Sequence, residues 1–194
     1  MTTLLEIPQT QSNKLVLDGI SWEKFEQIEA SFQDIEGVKF IYLDGELEIV
    51  MSPSQAHESI KSLIGNLLEN YMRHNGIRFY MWGSTTLGKK EITGRKEPDE
   101  SYNFYSKKEI PDLVIEVIIT SENINILEIY RRLGIPEVWF YKNSILTIYS
   151  LQNDQYLKVD HSVLLPELNL ENFTKYVNYS DQYDALTEFV DNLK

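Results

Sequence analysis

The clearest hydrophobic pattern in the chain lies between residues 110 and 141. Residues 113–119 (LVIEVII) form an apolar, mostly β-branched run, which is typical of a strand buried on both faces. Apolar side chains then recur from Ile126 to Leu133 at the spacing i, i+3, i+4 and i+7, as on one face of an amphipathic helix. Residues 137–141 (EVWFY) are apolar again. The segment therefore predicts a β-α-β unit with parallel strands and a right-handed crossover. Thr120 and Ser121 are suitable residues to cap the start of the helix, and Gly134 and Pro136 are typical of its end.

Alternating and amphipathic stretches elsewhere predict the remaining elements. In the first part of the chain we expect a strand at residues 15–17, a helix after Ser21, a hairpin of residues 38–42 and 46–50, and a turn at residues 52–54. A helix near residues 57–71 and strands at residues 77–82, 84–87 and 97–105 should follow. After the β-α-β unit we expect a second hairpin of residues 145–149 and 156–159 and a closing helix at residues 181–194. Residues 1–14 are expected to form a loose arm and residues 162–174 to be irregular. The chain length predicts one domain over residues 1–194, and the β-α-β unit places it in the α/β class.

Composition limits the classes of protein that fit this pattern. The chain of 194 residues has no cysteine and three histidines, so we expect neither disulfides nor a thiolate or histidine-rich metal site. It has no apolar run long enough to span a membrane and no pattern of a signal peptide, which favours a cytoplasmic protein without a membrane partner. The net charge of -12 argues against general nucleic-acid binding, although a local basic patch would suffice for a nuclease.

Glu116 is the unusual residue of the central segment, because it interrupts the apolar run of residues 113–119. An unpaired carboxylate buried there would cost several kcal/mol. Glu116 is therefore either paired, protonated, exposed at a strand end or bound to a metal. A functional carboxylate and a structural ion pair both fit this pattern.

The most basic window of this acidic chain is residues 88–97 (GKKEITGRKE), where we expect an exposed hairpin tip. Two interpretations remain open. The charges are merely solvated, as in most charged loops, or the window contacts the phosphates of DNA. The candidate DNA-binding residues are Lys89, Lys90, Arg95 and Lys96.

Asp99 can lie next to Glu116, because a short connection can place their two strands side by side. Asp112 shares a face with Glu116, since alternate residues of a strand point the same way, so a third carboxylate can join them. Converging carboxylates repel unless a cation lies between them, and Mg²⁺ or Mn²⁺ prefers such oxygen ligands. The pattern fits a metal-dependent phosphodiesterase, and the paired carboxylates of a glycosidase are the alternative.

Four segments, taken in order, also carry a resemblance to a known family. They are residues 42–60 (YLDGELEIVMSPSQAHESI), 82–87 (WGSTTL), 97–104 (EPDESYNF) and 111–141. From about residue 15 to 175 the chain resembles a family of bacterial restriction-type endonucleases, formerly a domain of unknown function, in the PD-(D/E)XK superfamily. The resemblance implies a restriction-endonuclease-like fold, with a central mixed sheet flanked by helices, and Mg²⁺-dependent (or Mn²⁺-dependent) cleavage of DNA.

The resemblance also implies roles for three residues. By motif, Asp99 and Glu116 match the metal-binding and catalytic carboxylates. His57 matches a helix histidine of the family and is a candidate catalytic residue beside the metal; the alternative is a partly buried residue that caps its helix. Restriction-type nucleases often dimerise to cut both strands, so the resemblance implies a homodimer.

The sequence departs from the family at the catalytic lysine. In the family this lysine is expected on the helix after Glu116, in the pattern N-K-L-E-x-Y, where this chain has Ile126. An isoleucine can neither orient the attacking water nor offset charge near a metal. A lysine of the basic window can swing in to replace it. Two hypotheses therefore stay open, a metal-dependent nuclease and a catalytically degenerate domain that acts as a binding module.

Overall fold

The protein combines two β-sheets with helices, in agreement with the predicted mixed α+β class. The computed structural model describes residues 14–51, 54–119 and 124–193. Its strands are β1 (Lys14–Leu17), β2 (Val38–Leu43), β3 (Glu46–Met51), β4 (Phe79–Met81), β5 (Leu87–Lys89), β6 (Gly94–Lys96), β7 (Glu100–Phe104), β8 (Leu113–Ile118), β9 (Glu137–Lys142), β10 (Ile145–Gln152) and β11 (Gln155–Val159). Its helices are α1 (Trp22–Ser31), α2 (Gln55–His74), α3 (Ile126–Leu133), α4 (Leu170–Val177) and α5 (Gln182–Asn192).

The two sheets differ in their pairing. The first sheet has the strand order β1-β3-β2-β6-β5 and its neighbouring strands are antiparallel. The second sheet has the order β11-β10-β9-β8-β7-β4, in which β8 and β9 are parallel and the other neighbours are antiparallel. The second sheet is thus the mixed central sheet that the family resemblance implies.

The β-α-β unit is confirmed as β8, α3 and β9. Helix α3 ends at Gly134, whose φ of 71° lies in the left-handed region that favours glycine. The predicted capping residues Thr120 and Ser121 lie outside the described residues, as do residues 52–53 of the predicted turn and residues 1–13 of the predicted arm. Asn125 precedes the helix without a side-chain capping bond.

Alternate residues of β8 face two different cores, which fixes where Glu116 points. Leu113, Ile115 and Val117 pack with α2, α4 and α5. Val114, on the opposite face, packs with α3 and with Ile41 of the first sheet. Because side chains alternate along a strand, Glu116 shares the face of Val114 and points toward the first sheet. The far side of the first sheet is covered by α1.

Three local predictions are wrong. The strand expected at residues 84–87 begins only at Leu87 and continues to Lys89 as β5. Residues 170–177 form α4 instead of irregular structure, because Phe173, Tyr176 and Val177 recur at helical spacing and are buried, and Asn169 caps the helix. The basic window is not only an exposed tip, because β5 and β6 pair with each other and β6 also pairs with β2. As a result Gly94 and Lys96 are buried.

Candidate active site

Strands β7 and β8 bring Asp99 and Glu116 together. Their antiparallel register pairs Glu100 with Ile115, so one residue further along Asp99 lies opposite Glu116. The backbone N–H of Val117 donates to Asp99 Oδ2 over 2.8 Å. Both carboxylates are buried, at 5% and 1% exposure. The expected convergence of these two residues is therefore present in the structure.

Asp112 does not join this pair. Its carboxylate accepts hydrogen bonds from the Lys108 ammonium at 2.6 and 2.7 Å and from the backbone N–H of Phe104 at 2.8 Å. Those partners lie at the far end of β7 from Asp99, since Phe104 is the last residue of that strand. Asp112 thus fixes the loop between β7 and β8, and the expectation of a third converging carboxylate is wrong.

Glu116 has a cation and a phenol as its partners. Lys96 Nζ lies 3.2 Å from Glu116 Oε2, and the Tyr130 hydroxyl donates to Glu116 Oε1. Lys96 reaches Glu116 because it pairs with Ile41 in the first sheet, and residues opposite each other in a ladder point to the same face. Ile41 packs toward β8 and α3, so Lys96 does too. Tyr130 comes from the buried face of α3.

Asp99 is surrounded by two further side chains. Lys39 Nζ, from β2, lies 3.2 Å from Asp99 Oδ1 and 3.4 Å from Glu97 Oε1. His57 Nε2, from the first turn of α2, lies 3.0 Å from Asp99 Oδ2. The other ring nitrogen of His57 lies 3.1 Å from a Glu58 oxygen. Each ring nitrogen of His57 therefore faces a carboxylate, which favours the imidazolium form.

Asp99 and Glu116, together with Lys39, His57, Lys96 and Tyr130 around them, are called the carboxylate cluster. The contacts described above determine its electrostatics. Burial alone would raise the pKa of the Asp99 carboxyl, but the hydrogen bond from His57 and the charges of Lys96 and Lys39 hold that pKa well below its usual range. Burial disfavours the charged imidazole of His57, yet Asp99 and Glu58 outweigh it and raise the pKa of His57. The same balance raises the pKa of Lys39, where burial is outweighed by Asp99 and Glu97. The cluster is thus a set of charged groups that stabilise one another.

The donor set suits a hard cation only in part. Asp99 and Glu116 supply carboxylate oxygens, which Mg²⁺ and Mn²⁺ prefer, and such ions commonly take one or two protein carboxylates plus water and substrate phosphate. Among residues 14–51, 54–119 and 124–193, no group of three or more histidine, aspartate or glutamate side chains is arranged to hold a metal. A metal at this site would therefore have two protein ligands and would share them with the ammonium groups of Lys39 and Lys96.

The four basic side chains in the segment 88–97 lie in different environments. Lys89 and Lys90 are exposed, and Lys90 pairs with Glu23 of α1. Arg95 is half-buried, with its Nε 3.2 Å from Glu29 Oε1. Lys96 is buried and belongs to the carboxylate cluster. These residues do not form one continuous basic surface, and Lys96 is buried beside Glu116 instead of facing solvent.

Ile126 is part of the core on the first-sheet side of β8 and is 4% exposed. It lies one helical turn before Tyr130 on the same face of α3, and Tyr130 contacts Glu116. Two members of the cluster, Lys39 and Tyr130, are not predicted from the sequence. Tyr130 carries a recognisable cue, since it is the tyrosine of the helix pattern around Ile126. Lys39 has none, because its place depends on how the two sheets pack.

The chain matches the model of a known protein family. The model of a family described as "Uma2: Putative restriction endonuclease" matches residues 22–178, a segment that contains every member of the carboxylate cluster. No curated protein matches the chain. Within the described residues, no helix is long and apolar enough to cross a membrane.

Proposed function

The chain belongs to the Uma2 family, and from this premise we propose that it is a divalent-metal-dependent nuclease that hydrolyses phosphodiester bonds of DNA at the Asp99–Glu116 site. One observation carries the proposal. Two buried carboxylates on neighbouring strands lie within reach of a buried ammonium group, that of Lys96. Such a combination of metal-ligand oxygens and a cation suits the hydrolysis of a phosphodiester.

We propose Asp99 and Glu116 as the residues that hold Mg²⁺ or Mn²⁺. When bound, the ion would activate a water molecule and offset the negative charge of the phosphate. Asp99 is prepared for this role because its neighbours keep it ionised. Glu116 is held in place by Tyr130, whose hydroxyl donates to Glu116 Oε1, while the Lys96 ammonium lies beside Oε2.

We propose Lys96 as the catalytic lysine of this chain. It reaches Glu116 from the first sheet, whereas the family pattern would bring a lysine from the position of Ile126 on α3. A buried ammonium stabilises negative charge more strongly than a solvated one, because little water screens it. His57 orients Asp99 through its Nε2 and, as an imidazolium, adds positive charge beside the phosphate site.

A second candidate function is a binding module that has lost catalysis. It is favoured by the pairing of both carboxylates with lysines and by the apolar residue at position 126. In that case Lys39 and Lys96 would replace the metal charge and serve only to stabilise the fold. The two candidates make opposite predictions for metal binding and for cleavage.

Cleavage of supercoiled plasmid and of circular single-stranded DNA, each in Mg²⁺ and in Mn²⁺, tests the proposal. The wild type should cut at least one substrate in a metal-dependent way, and Asp99→Asn should not. An inert wild type, together with an active Ile126→Lys variant, would support the binding module. Cleavage that Asp99→Asn retains would contradict the site assignment.

We also propose that the protein acts as a homodimer, as the family resemblance suggests, and that it works in the cytoplasm, as its composition suggests. Lys89, Lys90 and Arg95 are the proposed contacts to DNA phosphates outside the site. Neutralising these three residues should flatten the salt dependence of DNA binding. Sedimentation of the purified protein would test the dimer.

A further inference from the structure

We infer that the substrate enters the site as an unpaired strand, and that a cavity beside Lys39 holds a nucleobase next to the phosphate that is cut. This inference rests on the proposed nuclease function and names its substrate class. It follows from the depth of the carboxylates, from a gap in the first sheet, and from the chemistry of the cavity walls.

The depth of the site limits how a phosphodiester can reach it. The side chains of Asp99, Lys96 and Glu116 are 7%, 7% and 1% exposed, whereas that of Lys39 is 21% exposed. The cluster therefore opens on the side of Lys39. A phosphate that approaches Asp99 from solvent meets the Lys39 ammonium first.

A gap in the first sheet lies beside Lys39. Strand β6 pairs with residues 41–43 of β2 and ends at Lys96, where the chain leaves for the second sheet. Residues 38–40 of β2 therefore have β3 on one side and no strand of the described chain on the other. A cavity of about 460 Å³ fills this gap, and both Lys39 and Glu97 line it. The Lys39 ammonium, which touches Asp99, joins the cavity to the carboxylate cluster.

The walls of the cavity suit a nucleobase. Phe32 and Phe40, whose ring centroids are 5.6 Å apart, line it together with Ile35 and Val38 and offer apolar surface for a base. The Gln33 amide and the Thr86 hydroxyl supply polar partners for base edges.

The charge of the cavity argues for a base and against a second strand of phosphates. Glu26, Glu29 and Glu97 line it, and carboxylates accept hydrogen bonds from exocyclic amino groups of bases but repel phosphates. A pocket of this size holds one nucleotide, so the partner strand of an intact duplex would have to stay outside. An unpaired or extruded nucleotide avoids that conflict.

Fluorescence anisotropy in EDTA tests the inference without relying on cleavage. The probe is a short fluorescein-labelled oligonucleotide of mixed sequence, used as a single strand and annealed to its complement. The wild type should bind the single strand roughly tenfold more tightly than the duplex, and Phe32→Ala should lose most of that preference because base stacking is lost. Ile35→Ala, on the cavity wall, should weaken single-strand binding, whereas Ile145→Ala, a similarly exposed isoleucine on β10, should not.

The outcomes separate this inference from the proposed function. Equal affinity for the two probes, tighter binding of the duplex, or indistinguishable effects of Ile35→Ala and Ile145→Ala would overturn the inference, even if the protein cuts DNA. Selective single-strand binding that depends on Phe32 would support it, even if the wild type proves catalytically inert.

Discussion

The ammonium group of Lys96, on the first sheet, lies 3.2 Å from a carboxylate oxygen of Glu116, on the second sheet. Both side chains are almost completely buried. The contact joins strands that belong to separate hydrogen-bonded sheets, so the candidate site exists only where the two sheets pack together. Stability and the proposed activity are therefore linked at this pair.

Replacing Lys96 by methionine should destabilise the protein by roughly 3–5 kcal/mol, because it leaves a buried carboxylate without its cation. The double variant Lys96→Met/Glu116→Gln should recover part of that loss, since Glu116 then no longer carries a buried charge without its cation. Urea unfolding followed by circular dichroism measures both free energies. Lys89→Met, at an exposed lysine of the same segment, is the control. Equal losses in Lys96→Met and in the double variant would show that the pair is not coupled.

Mn²⁺ should stabilise the wild type against heat through Asp99. At a concentration about 100 times its Kd, an ion that binds only the folded state raises the melting temperature by roughly 5–10 °C. Asp99→Asn should abolish this shift, whereas Asp112→Asn should retain it, because Asp112 is a buried aspartate that does not belong to the cluster. A shift that survives in Asp99→Asn would place the metal elsewhere.

The hairpin that carries Lys96 should not tolerate a side chain at residue 88. Gly88 has a φ of +117°, and a Cβ atom there would lie 2.1 Å from the carbonyl oxygen of Gly94. We expect Gly88→Ala to lower the free energy of unfolding by roughly 2–4 kcal/mol. Gly83→Ala is a matched control with a positive φ of 56° but open space around it, and should cost only about 1 kcal/mol. Similar losses in the two variants would contradict the close approach of β5 and β6.

Local sequence patterns predict most of the elements but not how the two sheets meet. The β-α-β unit and the first hairpin follow from periodicity, and the structure confirms them. The pairing of β6 with β2 depends on residues more than 50 positions apart, and no local pattern encodes it. This is why Lys96 could be noticed only as part of a basic window and Lys39 not at all.

Burial of a carboxylate is by itself a weak guide to function. Glu137, like Glu116, is 1% exposed, yet its oxygens accept hydrogen bonds from Trp139, Ser162 and the backbone of Val163 in a purely structural arrangement. Glu116 is distinguished by the second carboxylate, Asp99, on the neighbouring strand. The sequence can identify an unusual residue, but the partners that give it a function come from the fold.

Acid should weaken helix α3 through Glu128, whose two arginine partners lie on the same helix. Hydrogen bonds from Arg131 and Arg132 lower the pKa of Glu128 from 4.5 to about 2, although burial opposes this shift in part. Because folding lowers this pKa, the charged form stabilises the protein above pH 4.5, and the contribution is lost as the pH falls toward about 2. We expect a contribution of roughly 1 kcal/mol, since both partners are near the surface. Between pH 4.5 and about 2, the melting temperature should fall less steeply with pH in Glu128→Gln than in the wild type. Equal slopes in the two proteins would rule out this contribution.

The position of the lysine ammonium beside Glu116 should decide activity, whether the lysine comes from a strand or from a helix. If Lys96 supplies the catalytic cation, Lys96→Met should lower the cleavage rate by roughly 100-fold or more. Residue 126 lies one turn before Tyr130 on the face of α3 that reaches Glu116, so a lysine there can approach the same carboxylate. Adding Ile126→Lys to Lys96→Met should therefore restore at least part of the rate.

The matched control adds Leu127→Lys to Lys96→Met. Residue 127 lies on a different side of α3 and is only partly buried, so a lysine there carries the same charge to another place. Single-turnover cleavage, with folding checked by circular dichroism, separates the variants. Rescue by Ile126→Lys alone would show that an ammonium beside Glu116 is what catalysis requires, from whichever element it comes. Equal rescue by Leu127→Lys, or none from a folded Ile126→Lys double variant, would remove Lys96 from the catalytic residues.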